Sequence, residues 1–444
     1  MPDVQLEVPP AADPERDANG RPTALLPLRQ LVTISGYWLG ISMLWGGYEI
    51  YGQQKVEQLV GIEQRGTYMG PLELLTGLIA IAVQPTIGTI SDYTTTRWGR
   101  RKPYILLGAC FDLVFLVGIV SSSSILVLAA FLALLQLSSN VAQGPFQGYI
   151  PDLVPERQVG RASALVGMMR IIGLIIGYGA VSTGAATGEY GIPLLLIGVT
   201  ELALAGATFL LVREGPRGRD RGGRSWGAIA REAWGTDLLR ERSFLRMAGV
   251  RLLFLAGPSA FVNYSVFYVR DSLGQTGADQ TFWLIVANAT LALSTAIASF
   301  PAAALSDRVG RKPVIVLAGV VLSVGIAWIA AAPTPLAAIG GIALLGAGAG
   351  AYLSVDWALM TEIIPIAASG RFMGLANIAN SLSGPIATFA AGIVLDIVTR
   401  SAGPGAGPRV AALTGIAFVT AGVLLLRGVR PARDPRAARA AAGG

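Results

Sequence analysis

Gln84-Pro85-Thr86-Ile87-Gly88-Thr89-Ile90-Ser91-Asp92-Tyr93-Thr94-Thr95-Thr96-Arg97-Trp98-Gly99-Arg100-Arg101-Lys102-Pro103 is the stretch whose reading decides the fold. An apolar run enters it and another leaves it. Between them stand one acid, four basic residues, a Gly and a Pro. Basic side chains cost about 2.5–3.5 kcal/mol each at mid-membrane. The stretch therefore reads as a tight basic hairpin between two membrane helices, held on the cytoplasmic side.

A shorter echo follows at Ser306-Asp307-Arg308-Val309-Gly310-Arg311-Lys312-Pro313, where Pro313 stands 210 residues after Pro103. A second pair repeats the offset. Asp152-Leu153-Val154-Pro155 with Gly160-Arg161 matches Glu362-Ile363-Ile364-Pro365 with Gly370-Arg371, again 210 residues on. Asp92 and Asp307 are 215 apart, so the first loop carries five extra residues. Two matches at one offset indicate a duplicated chain with two halves of like topology.

Composition agrees. Of 444 residues, 53% are hydrophobic and 14% charged, against about 25% charged in soluble domains. The single Cys110 excludes an intrachain disulfide and a Cys-based zinc site, and the absence of His excludes a His relay. No metal site is expected. The net charge of +7 fits Arg-rich cytoplasmic loops rather than a nucleic-acid partner. No G-x-x-x-x-G-K-[ST] loop or nucleophile constellation appears, so neither an ATP-driven pump nor an enzyme is expected. The polar, acid-bearing N-terminus lacks the pattern of a cleavable signal.

Apolar segments long enough to span about 30 Å divide the chain. A cytoplasmic tail covers 1–29, a six-helix bundle 30–212, a cytoplasmic linker 213–246, a second bundle 247–427 and a basic cytoplasmic tail 428–444. Spans are expected near 30–51, 67–91, 103–121, 124–149, 161–186, 190–212, 247–269, 279–304, 313–332, 335–360, 371–397 and 409–427. The linker holds nine Arg and five acids. Bases crowd the loops after every even-numbered span, which places both termini in the cytoplasm. The expected class is thus all-α integral membrane, with twelve transmembrane helices in two pseudo-symmetric six-helix bundles.

Twelve spans, two halves and the repeated acid–basic loop resemble the major facilitator superfamily. Gly70-Pro71, the run from Val83 to Ile105, and Gln143-Gly144-Pro145 followed by Asp152-Leu153 resemble the sucrose/H⁺ symporters, and the loop also resembles the related glycoside–pentoside–hexuronide cation symporters. The resemblance implies a monomeric secondary transporter of the cell membrane, moving a sugar or glycoside with a cation by alternating access. It departs from the pattern at three points, one being the family's His after helix 1, which this chain lacks. The sucrose symporters carry an acid and an arginine on the fourth helix where this chain has Gln136 and Gln147, and the melibiose-type relatives carry an Asp pair where it has Ala80 and Gln84. The usual coupling residues are therefore absent.

Charges inside predicted spans are functional candidates, because they are expensive there. These are Glu49, Glu73, Asp112, Arg170, Glu201, Arg251 and Asp356. The superfamily lines its cavity with helices 1, 4, 7 and 10. By that token Glu49 and Glu73, with Arg170 as a partner for either, are the expected coupling groups for a proton, while Asp112 and Glu201 are expected to be structural. Gln136, Asn140, Gln143 and Gln147 recur at spacings of 4, 3 and 4 on one helix face. With Trp38, Tyr48 and Asn263 they are the expected substrate-binding set, amides for hydroxyls and rings for a sugar's C–H face. Asp92, Arg97, Arg100, Arg101, Asp152, Arg161, Asp307, Arg311, Glu362 and Arg371 are expected to form a cytoplasmic gate of ion pairs that closes one state and opens in the other. The expected function is H⁺-coupled uptake of a sugar or glycoside. A uniporter or exporter of another small organic solute, or a membrane accessory protein without transport, is the alternative.

Overall fold

The structure is a computed structural model that describes residues 22–214, 221–232, 242–363 and 369–429, with side chains at 185–186, 231–232, 242–244, 357–358, 360 to 363 and 369 to 377 outside the description. Twelve long helices account for most of it: α1 Tyr37–Val60, α2 Arg65–Asp92, α3 Lys102–Val120, α4 Ile125–Gln147, α5 Val159–Ser182, α6 Gly191–Leu211, α7 Arg242–Val262, α8 Gly277–Val309, α9 Arg311–Ala331, α10 Pro335–Ile363, α11 Ser369–Ala402 and α12 Gly407–Leu426. A short helix, Leu28–Ser35, precedes α1. Eleven helical segments among the described residues are long and apolar enough to cross a membrane. Helix α1 is not among them.

The two halves pack by one rule. Helix α1 lies against α5 and α6, α2 against α4, α3 against α4 and α6. The same pairs recur six helices later: α7 against α11 and α12, α8 against α10, α9 against α10 and α12. The expected twelve-helix, two-bundle architecture is what the chain forms. Between the halves, α2 packs along α11 and, less extensively, α8 along α5.

Glycines allow these seams to close. A Cβ at Gly177 would stand 2.2 Å from the Met43 carbonyl oxygen, and one at Gly66 would stand 2.3 Å from that of Gly392. The first contact fixes α5 on α1; the second brings α2 of one half against α11 of the other. Such close backbone approach is the usual use of small residues in membrane helices.

The observed helices differ from the predicted spans mainly at their ends. Helix α1 was expected to stop near 51 and runs to Val60. Its last turns lie beyond the apolar run, and their polar groups find partners there: Lys55 Nζ donates to the Val120 carbonyl at 3.0 Å and Glu57 pairs with Arg65. Helix α7 begins at Arg242, inside the expected linker. The linker's first residues are also anchored. Glu214 accepts from Arg101 N at 2.9 Å and from the Tyr149 hydroxyl.

Candidate functional site

Loops α2–α3 and α8–α9 mark the basic end of the molecule; loops α1–α2 and α7–α8 lie at the far end. Two cavities lie along the interior between them.

The larger, about 530 Å³, lies in the basic half and is lined by Trp38, Gln84, Gln143, Gln147, Arg170 and Asn380 among others. That volume falls within the range of small-molecule sites. Its lining comes from α1, α2, α4 and α5 of one half and α11 of the other. Gln84 Nε2 donates to Gln143 Oε1 at 2.7 Å, so the two amides present an ordered pair. Gly144 makes this possible: a Cβ there would stand 2.5 Å from the Gln84 carbonyl oxygen. The Arg170 guanidinium lies 5.0 Å over the Trp38 ring.

The smaller, about 190 Å³, lies in the far half and is lined by Trp45, Tyr48, Glu49, Gln53, Glu73 and Asn263 among others. It holds roughly six waters' worth of space. Glu49 accepts from the Tyr178 hydroxyl of α5. Asn263 Nδ2 donates to Thr388 Oγ1 at 2.5 Å. No basic residue is among those lining it. Gln53 is only 1% exposed and neither atom of its amide has a partner among the described residues. A buried amide left this way is costly unless a ligand or water meets it.

Above this acid pocket the far end is closed by ion pairs between the halves. Arg65, fully buried at the start of α2, pairs with Glu57 at 2.5 Å and with Asp271 of the other half at 2.6 Å. Its guanidinium also stacks 3.9 Å over Phe267. Arg270 returns the connection, to Glu57 at 2.6 Å. Asp396 on α11 accepts from the Gly66 and Thr67 backbone N–H groups at 2.9 and 2.6 Å, capping the first turn of α2 across the interface. This set was not anticipated. It draws on three segments far apart in sequence, 57–67, 270–271 and 396, and the signal in the sequence is that Arg65 and Arg270 each stand close to an acid.

At the basic end the ion pairs seen among the described residues lie within halves. Arg101 Nη2 reaches Asp92 at 2.8 Å and Asp152 at 2.7 Å, and Arg100 also meets Asp152. Arg311 pairs with Asp307 at 2.6 Å. Among the described residues no ion pair joins the two halves here. The molecule is therefore closed at its far end, with the amide cavity in the basic half.

Several expected residues stand apart from these groups. Arg97 stacks 4.6 Å over Trp98 and makes no ion pair with Asp92 among the described residues, because Arg101, folded back under α4, takes that place. Arg161 has no ion pair among the described residues. The side chains of Glu362 and Arg371 lie outside the described residues. Gln136 and Asn140 share the face of Gln143 but are absent from the lining of the amide cavity; Asn140 is 3% exposed and its amide donates to the Gln136 carbonyl at 2.8 Å. Arg170 pairs with neither Glu49 nor Glu73, since they line a different cavity. Asp112 and Glu201 are fully buried inside the first bundle, held by Ser138 and by Tyr37 at 3.0 Å respectively. Asp356 pairs with Arg251 at 2.9 Å between α10 and α7.

Comparison with known proteins fits this geometry. The family model for MFS/sugar transport proteins matches residues 60–429. The rice sucrose transport protein SUT1 is 32% identical over 132 residues, 24% of this chain and 24% of the relative. The Arabidopsis sucrose transport protein SUC3 is 29% identical over 133 residues, 25% and 22% of the two chains. These matches span about a quarter of each curated relative. Among solved structures, the nucleoside transporter NupG superposes with a TM-score of 0.69 at 14% identity, covering 90% of this chain and 99% of that one. A bacterial homolog of the human lysosomal transporter Spinster gives 0.68 at 16% identity, covering 90% and 97%. With the family model matched over most of its length, and two six-helix halves closing around a central polar cavity, this chain belongs to the MFS/sugar transport protein family.

Proposed function

We propose that this chain is a sugar or glycoside/H⁺ symporter of the cytoplasmic membrane, working as a monomer with both termini in the cytoplasm. The supporting observation is the amide cavity shared by the two halves. Paired Gln84 and Gln143, with Gln147 and Asn380, offer donors and acceptors to hydroxyls, and Trp38 offers a ring to a sugar's C–H face. Amides arranged to meet hydroxyls discriminate strongly against analogues that lack them.

In this reading the halves rock about the cavity. The Arg65 network holds the far end shut while solute leaves toward the cytoplasm. Far-end opening then requires those pairs to part, and the Asp92 and Asp307 networks to engage at the basic end. Glu49 and Glu73 take up the proton in the acid pocket. Placing them beside the latch and apart from the solute cavity suits a role in coupling, because their charge can bear on closure without contact with the solute.

The test is uptake of labelled disaccharides into proteoliposomes with and without an inward proton gradient. Gradient-driven accumulation is the expected outcome. Accumulation indifferent to the gradient and to a protonophore would favour a uniporter. That second reading draws on the cavity lining itself, where Arg170 is the one charged residue among those described.

A further inference from the structure

A third space, about 720 Å³, lies outside both cavities at the basic end, between the short helix before α1 and the end of α6. Arg29, Gln30, Leu210, Leu211 and Arg213 are among its walls, with Asp152 at its inner side. Three observations converge on it. The guanidinium groups of Arg29 and Arg213 meet no acid among the described residues, whereas Asp152 is already paired with Arg100 and Arg101. The groove continues into bare apolar surface, since Leu28, Leu210 and Leu211 are 68%, 78% and 67% exposed. Beside it, Trp98 is half exposed, packs 6.0 Å from Phe209, and is flanked by Arg97 and by Lys102, which lies 5.5 Å from the Phe209 ring. Tryptophan is enriched at the depth of lipid headgroups, and Trp98 stands in the loop between two spans.

We propose that this groove binds an anionic phospholipid, its phosphate between Arg29 and Arg213 and its acyl chains along Leu210 and Leu211. The chemistry asks for an amphiphile. A free anion would make no use of the apolar wall that adjoins the two arginines, and a neutral lipid would leave those arginines unmatched. Basic pockets between membrane helices on the cytoplasmic side suit such headgroups, each Arg near the surface contributing on the order of fivefold in affinity. The position beside Asp152 gives the lipid a route to the basic-end network, because Asp152 is the carboxylate that holds Arg100 and Arg101. This holds whatever solute the amide cavity carries.

The test is binding of short-chain phosphatidylglycerol to the full-length protein in neutral detergent, followed by native mass spectrometry, with phosphatidylcholine and glycerol 3-phosphate as parallel probes. Wild type is expected to retain phosphatidylglycerol over both. The double variant Arg29→Gln/Arg213→Gln is expected to lose about 25-fold in affinity for it while its thermal stability in phosphatidylcholine stays at the wild-type level. Equal retention by the double variant would overturn the proposal. Glycerol 3-phosphate bound as well as the lipid would reassign the groove to a soluble phosphate. The acidic segment 1–20 is the remaining candidate occupant: if the lipid binds only after residues 2–20 are deleted, that segment fills the groove instead. The single variant Arg213→Gln supplies an intermediate loss should the double variant fold poorly.

Discussion

Arg65→Gln is the perturbation that separates a latch from a decorated surface. Arg65 is fully buried and holds two carboxylates, Glu57 and Asp271, from opposite halves. Removing one partner of a buried ion pair costs about 3–5 kcal/mol, because the remaining charges are left uncompensated. Glu57 is 20% exposed and Arg270, itself 21% exposed, still reaches it. We therefore take the low end, about 3 kcal/mol. That cost falls only on the state in which the far end is closed, since opening parts the pairs and lets water reach them. The ratio of far-open to far-closed molecules should rise roughly 150-fold. A reporter cysteine at Met69, which lines the acid pocket beneath the latch and is 7% exposed, reads this directly. In a Cys110→Ala background, its labelling by a membrane-impermeant thiol reagent from the far side should accelerate steeply. Arg270→Gln, at a more exposed pair, should accelerate it about fivefold at most. Unchanged labelling in a folded Arg65→Gln protein would refute the latch.

Glu49→Gln should abolish uphill accumulation of solute while leaving exchange down a gradient intact, measured by counterflow in proteoliposomes; retained pH-driven accumulation moves the assignment to Glu73. Gln143→Leu removes both the Gln84 contact and a cavity amide and should raise the apparent KM at least tenfold, whereas Gln136→Leu, outside the cavity, should change it little; uptake kinetics decide. Gly66→Val places a side chain against the Gly392 carbonyl and should keep the far end open, seen as faster labelling of the same Met69 reporter. Asp356→Asn removes the buried carboxylate that meets Arg251 at 2.9 Å and should lower stability by about 1–3 kcal/mol, seen in a thermal melt without reference to transport.

The duplicated loops carried most of the architecture. Asp92 and Asp307 end equivalent helices because the apolar runs before them and the basic runs after them are the same physical device used twice. Helical spacing was enough to place Gln143 and Gln147 on one face. It was not enough to tell Gln143 from Asn140, because a face is one-dimensional and cavity depth is not: near Asn140 the neighbouring helices close over α4. Arg101 rather than Arg97 meets Asp92 because a loop containing Gly99 at φ 117 turns back on itself, a path that residue order does not reveal. The far-end latch was least legible. Arg65 meets Asp271 across 206 residues and Gly66 meets Asp396 across 330, and only the packing of the halves brings them together.

Asp396 of one half caps the first turn of the helix that begins at Arg65 in the other. If the halves part at this end during transport, the cap is withdrawn in every cycle, and the first N–H groups of α2 must turn to water. The secondary structure of α2 is then not constant through the cycle: its opening turn is stable in one state and frays in the other. Backbone hydrogen exchange at Gly66 and Thr67 would consequently tick with turnover, slow when the far end is shut and fast when it opens, giving a clock for the transport cycle that needs no label and no knowledge of the solute.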